Sequence, residues 1–312
     1  MLSRAASSLF WMARYLERAE NQARLLDISL TMALIDVPED REEQLSVPLL
    51  VTGSQDTFNS LYDELNPQNL ITFVLLDDRN PGSVYNIFRI ARDNALQVRG
   101  NLSADVWESI NLSWLEFREL RQQGVTESSA SQVFDWTRAR SHEFRGAAYG
   151  TLLRNDAFRF LRLGTFIERA DTTARMLNIR QQLALLPEND QASRPFFEWN
   201  ALLHSLAAYE AYQTVYGHNI DPLNVAELLV LNPDVPRSLH ACLQAIAELL
   251  EAIEGDRGRR AKRLATSLYS NIRYGDRDYI AEHGLDKYLA DFLTRIQRIA
   301  AQIQNDYMGW QT

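Results

Sequence analysis

An all-α fold, built as an internally duplicated multi-helix bundle with two pseudo-symmetric halves, is what this sequence predicts. Three observations carry the prediction. Glycine (13) and proline (9) are scarce in 312 residues, which removes turn formers and favours long helices. Apolar residues recur at three- and four-residue steps over long stretches, and no segment sustains an alternation of apolar and polar residues. One helical signature also occurs twice. Glu17-Arg18-Ala19-Glu20-Asn21-Gln22-Ala23-Arg24 returns, 151 positions later, as Glu168-Arg169-Ala170-Asp171-Thr172-Thr173-Ala174-Arg175.

In chain order, the periodicity predicts helices over Leu2–Ile35, Pro48–Leu65, Val84–Asn101 and Ala104–Arg121. A long stretch, Ser131–Leu186, breaks near Gly146–Arg154. Phe196–Gly217, Ser238–Glu254, Arg259–Ile272 and Leu285–Met308 follow. Breaker-rich or acidic segments separate them: Val37–Gln44, Gln122–Ser129, Pro187–Arg194 and Glu254–Gly258 read as loops. A second match extends the duplication. Leu75–Val84 and Val230–Leu239 each read as an apolar helix end, a polar turn and a Pro-x-Ser opening, at an offset of 155. Ser83 and Ser238 stand where a side chain accepts from a free N–H of the next helix. Two halves, 1–150 and 151–312, then share one layout and pack as one body.

Composition narrows the function classes. A net charge of −9 argues against non-specific nucleic-acid binding, where Lys and Arg must neutralise phosphates. The single cysteine, Cys242, excludes an intrachain disulfide and a cysteine zinc site, and its apolar surroundings read as a buried thiol. Leu9–Ala13 is too short for a signal peptide, and the longest strongly apolar run, Leu70–Leu76, is far below a membrane span. A soluble cytoplasmic protein is expected.

On a helical wheel, Leu9, Met12, Ala13, Leu16, Ala19, Ala23, Leu26 and Leu30 make one stripe, with Glu20 and Asp27 inside it. Glu17 and Arg24 lie at its edge, while Arg14 and Arg18 point elsewhere. The second copy repeats the pattern with Asp171 in the stripe and Glu168 and Arg175 at its edge. Carboxylates on an apolar face need partners, because burying an unpaired one is costly. Two readings stand: a polar clasp that sets helix register, or a pocket in which arginines grip a carboxylate or phosphate and acids grip an amine or Mg²⁺. No other cofactor is implied.

Further polar groups were weighed. Arg89, Arg92, Asp93, Asn94 and Arg99 form a cluster read as a solvated helix face or an anion-binding one. His142, Glu143 and Arg145 precede Gly146; a general base or metal ligand there is the sharper reading and a surface histidine the plainer one. No Glu-x-x-His occurs, so the ligands of a ferritin-like di-iron bundle are missing.

These motifs resemble the alpha-E family of bacterial all-helical proteins with a Glu-Arg motif. Ile90–Ala95, Trp107–Asn111, Phe160–Gly164 and Pro236-Arg237-Ser238 extend the resemblance over nearly the whole chain. It places the family's Glu-Arg pair at Glu17-Arg18 and Glu168-Arg169. It implies encoding beside an ATP-grasp-type amide ligase, often with a transglutaminase-like protein and sometimes a proteasome-like peptidase, and hence a part in peptide synthesis or tagging. An accessory or substrate-binding partner of the ligase, an enzyme acting on a peptide or amino acid in a Glu/Asp/Arg pocket, and a homo-oligomeric helical scaffold are the expected functions, in that order.

Overall fold

The computed structural model describes residues 2–35, 38–184, 194–253, 255 and 257–309. These residues are helical with short connections, and none lies in a β-strand. The chain divides into two compact units, residues 5–165 and residues 166–312 with 2–4. The division falls inside a helix, at Thr165/Phe166, and not at 150/151.

The first unit contains α1 (Ser3–Ile35), α2 (Pro38–Thr52), α3 (Gln55–Leu61) and α4 (Pro67–Ile71). A π-helical turn, Thr72–Leu76, continues α4. Then come α5 (Val84–Gln97), a 3₁₀ turn at Arg99–Asn101, α6 (Ala104–Gln123), α7 (Glu127–Thr151) and the opening of α8 (Asp156–Ala184). The second unit takes the remainder of α8 and then α9 (Arg194–Ser205), α10 (Tyr209–Tyr216), α11 (Pro222–Val230) and α12 (Leu239–Ala252). It closes with α13 (Arg259–Arg273), α14 (Arg277–His283) and α15 (Leu285–Tyr307). Among the described residues, no helix is long and apolar enough to cross a membrane.

Helix starts follow from capping chemistry. Ser83 accepts from the Asn86 N–H at 3.3 Å and Ser238 from the Ala241 N–H at 3.0 Å, as their positions before apolar runs predict. Asn66 and Asp221 cap α4 and α11 in the same way, each followed by a proline whose missing N–H costs nothing there. The apolar stripe of α1 is buried from Leu9 to Leu26, and Cys242 is fully buried in α12.

Several boundaries differ from the sequence reading. Val37–Gln44 was expected to be a loop. Val37 lies outside the described residues, but from Pro38 onward the segment is helical, and a proline at the first position of α2 gives up no helical hydrogen bond. The loop expected over Gln122–Ser129 shrinks because Thr126 and Ser129 form a capping box that starts α7 at Glu127. The helix expected over Phe196–Gly217 is two, α9 and α10, interrupted where Ala207 takes a left-handed φ of 50°. Most of the loop expected over Pro187–Arg194 lies outside the described residues.

The π turn ends at a buried titrating group, Asp77. It delivers Asp77, 7% exposed, to the guanidinium and backbone N–H of Arg79 and to the Tyr62 hydroxyl at 2.8 Å. The Arg79 side chain is the main reason the Asp77 carboxyl titrates at about 2, below its ordinary 3.8. Burial, and then the bond to Asp77, push Tyr62 up to about 12. A depressed carboxylate stabilises the fold above its unfolded pKa and ceases to do so as pH falls through the folded one. Asp77→Asn is therefore expected to cost about 2 kcal/mol at pH 7. In urea denaturation, the gap from the parent protein closes as pH drops from 4 towards 2. The Tyr62 contribution has the opposite direction, fading as pH rises from 10 through 12.

Candidate functional site

The polar centre of the first unit starts from helical spacing. Residues three and four apart share a helix face, so Glu17, Glu20 and Arg24 line up along α1. On α7, Thr137, Ser141, Phe144 and Ala148 are buried along one face, and Ser141 and Arg145 stand one turn apart. Small side chains on that face leave room for the Arg145 guanidinium to reach α1.

Arg145 Nη1 lies 3.0 Å from Glu17 Oε2, 2.5 Å from Glu20 Oε2 and 2.8 Å from the Ser141 hydroxyl. The Ser141 hydroxyl donates to Glu20 Oε2 at 2.9 Å. Arg24 Nε donates to the other oxygen of Glu20 at 3.0 Å. His142 Nε2 sits 3.4 Å from that same oxygen and 3.5 Å from Arg24 Nη2. Exposure rises outward: both glutamate side chains are 1% exposed, Arg24 and Arg145 15% and 19%, and His142 56%. Buried carboxylates thus form the floor, guanidinium groups the walls, and one imidazole the mouth.

This geometry has two chemical consequences. Both oxygens of Glu20 already accept from charged or hydroxyl donors, so Mg²⁺ there would compete with two guanidinium groups. Among the described residues, no group of three or more metal-ligating side chains converges. In addition, His142 Nε2 faces a donor and an acceptor together.

The other α1 residues lie around this centre. Asp27, expected within the apolar stripe, is part-exposed and pairs with Arg138 of α7 at 2.8 Å. Arg18 places its guanidinium 5.6 Å from the Tyr15 ring centre. Gln22 reaches the turn before α5, donating to the Gly82 carbonyl at 2.9 Å.

In the second unit, Glu168 and Arg169 are buried at 3% and 9% exposure. Arg169 donates to the Pro236 carbonyl at 3.3 Å, and the Thr173 hydroxyl to the Arg237 carbonyl at 3.0 Å. Asp171 and Arg175 pair at 2.7 Å with part-exposed side chains, so the buried acid of this stretch is Glu168.

His142 apart, which stands beside Glu20 and Arg24, the secondary candidates do not join either centre by any of these contacts. Arg89 bonds Asn86 at 2.9 Å, Arg92 bonds Asn111 of α6 at 3.0 Å, and Asn94 bonds the Ile90 carbonyl at 2.9 Å. Asp93 is exposed, and Glu143 pairs with Arg140 at the surface of α7. Sequence reasoning left out Ser141 and Arg145 as members of the centre. The available signal was a serine and an arginine one turn apart, beside an apolar helix face.

The family model described as a predicted alpha-helical domain with a conserved ER motif matches residues 1–308. Uncharacterized proteins of Mycobacterium bovis and Mycobacterium tuberculosis are each 25% identical over an alignment of 324 positions that covers 97% of this chain. The chain spans 36% of the length of these relatives. No solved structure gives a significant match.

Proposed function

The chain belongs to the alpha-E family, and from that premise we propose that it is a non-catalytic partner of an ATP-grasp-type amide ligase, binding the ligase or its peptide substrate. The observation that carries this reading is the state of the Glu-Arg chemistry in the first unit. Glu17 and Glu20 are buried, and their carboxylates are spent on Arg145, Arg24 and Ser141 within the fold. A cluster of this kind fixes the position of one helix against another, and buried ion pairs are best attested in that role. The length of the mycobacterial relatives adds support, since a segment like this chain is there joined to further protein in one polypeptide. A transglutaminase-like protein or a peptidase would complete the same peptide-forming system, in the cytoplasm where ATP is supplied.

The duplicated layout belongs to this reading. Thr173 stands 151 positions after Gln22, and Arg237 155 positions after Gly82, the two offsets of the sequence repeat. Each side chain donates to a main-chain carbonyl of the turn that opens the next Pro-x-Ser helix. Two copies of one unit present two comparable surfaces to a partner.

A second reading, an enzyme acting on a peptide or amino acid, is favoured by one contact: the exposed His142 beside the buried Glu20. Glu17→Gln and Glu168→Gln separate the two. The partner reading expects each substitution to lower the melting temperature, by about 1–3 kcal/mol in stability, while amide formation by the assembled system persists. Full stability with ligation abolished would establish the enzyme reading instead. Failure to co-purify with the neighbouring ligase, combined with no effect on its ATP-dependent product formation, removes the partner proposal.

A further inference from the structure

The corner where α7 gives way to α8, in the first unit, holds large side chains out into water on a fixed turn. α7 ends at Thr151, whose hydroxyl meets that of Ser103 at the start of α6 at 2.6 Å, and the Leu152 N–H bonds back to the Ala148 carbonyl. The Asn155 N–H donates to the Leu153 carbonyl at 2.8 Å. The Asn155 side chain caps α8, accepting from the N–H groups of Ala157 and Phe158. The turn is thus tied at both ends. Leu153 stands on it 76% exposed, and Tyr149, in the last turn of α7, is 61% exposed.

Arg154 lies between two rings. Its guanidinium is 4.1 Å from the Tyr149 ring centre and 4.2 Å from that of Phe158, and Nη2 donates to the Tyr149 carbonyl at 2.8 Å. Stacking of this kind orients an arginine without neutralising it. Among the described residues no carboxylate pairs with Arg154, because Asp156, two positions on, is paired with Arg159 at 2.9 Å. A lone exposed leucine is ordinary on a protein surface. Here an exposed leucine and tyrosine adjoin an arginine that is oriented, wet and without a counter-ion. Tyrosine and arginine dominate binding hot spots, and a side chain already held in place loses less freedom on association.

We propose that this corner docks a protein segment in which an aspartate or glutamate stands next to a large apolar residue. The carboxylate takes Arg154, and the apolar side chain covers Leu153 and Tyr149. Charge complementarity selects the carboxylate, which matches the planar fork of a guanidinium. A nucleic acid would need several unpaired cations along a track, whereas Arg159 is already paired and the chain carries a net charge of −9. The inference goes beyond the ligase reading, since the segment is defined by its chemistry and not by its owner. A failure of peptide binding therefore leaves co-purification with the ligase untouched.

The test is selection of short random peptides displayed on phage against the full chain, followed by fluorescence anisotropy with the enriched peptides made synthetically. Enriched sequences are expected to place Asp or Glu beside Leu, Phe or Met. Arg154→Gln is expected to weaken them about tenfold, the size of one lost charged hydrogen bond, and Leu153→Ser by a similar factor through lost apolar burial. Replacing the acid of the peptide by its amide is expected to abolish the difference between the parent and Arg154→Gln. Both substituted positions are exposed, and Leu153→Ser still decides the matter should Arg154→Gln lower the melting temperature. No enriched sequence, enriched sequences without an acid, or affinities that neither substitution lowers each overturn the proposal. So does a dimer of the parent chain in analytical ultracentrifugation that Leu153→Ser dissociates, which would assign the corner to a second copy of the chain.

Discussion

Gly164→Ala is expected to destabilise the protein by about 3 kcal/mol or more, although alanine is the better helix former by about 1 kcal/mol. Gly164 lies in α8 against the backbone of α1. A Cβ built there stands 2.1 Å from the Phe10 carbonyl oxygen and 3.0 Å from its carbon. Both obstacles are main chain of a buried helix, so no side-chain rotation relieves them and the two helices must move apart. Phe10 and Leu9 are fully buried, and separation loosens their packing as well. Gly146→Ala is the matching control. Gly146 is an exposed helical position with no atom within 4 Å of the new Cβ, so the same substitution there is expected to stabilise by about 0.5–1 kcal/mol. Urea denaturation of both variants measures the difference in sign. A Gly164→Ala protein as stable as the parent would show that α1 and α8 do not approach this closely in solution.

Arg145→Met is expected to cost about 3–4 kcal/mol, the range for breaking one member of a buried charge cluster. The guanidinium is shared between Glu17, Glu20 and Ser141, and methionine leaves those acceptors without their common donor while filling similar space. Arg145→Lys keeps the charge but lacks the planar fork, and is expected to recover only part of the loss. A double-mutant cycle with Glu20→Gln isolates the pair, and a coupling of at least about 1 kcal/mol is expected for groups in direct contact. A loss below 1 kcal/mol for Arg145→Met would mean that the Arg145 guanidinium does not hold α7 to α1.

The long elements were legible because each buries one face and exposes the other. Leu2–Ile35 was read to within a residue of α1, and Leu285–Met308 to within a residue of α15. Short elements that are mostly buried carry too little of such a period. In α11, Val225, Ala226, Leu228, Leu229 and Val230 are all buried, and within nine residues only Asn224 and Glu227 mark a polar side. The π turn at Thr72–Leu76 is apolar from Phe73 onward and five residues long, so it too lacks a phase. Nor does the break at Ala207 have a glycine or proline to announce it.

The ionic centre was half legible for a related reason. Glu17, Glu20 and Arg24 are neighbours in sequence, and the wheel brings them together. Arg145 comes from more than a hundred residues away, and in sequence its stretch offers a single histidine beside an acid, with nothing that ties it to α1. Spacing along one helix identifies which groups need partners, but long-range packing decides who the partners are.

The anchoring of the two Pro-x-Ser turns has a consequence for divergence. Gln22 and Thr173 bond to carbonyl oxygens of the main chain. Every residue offers that oxygen, whatever its side chain. The turns can therefore exchange Asp-Arg-Asn-Pro-Gly for Pro-Asp-Val-Pro-Arg, and the donor can change from an amide to a hydroxyl, while the attachment survives. Such a joint tolerates extensive rewriting of its letters, because neither attachment depends on which side chain the turn carries at the accepting position.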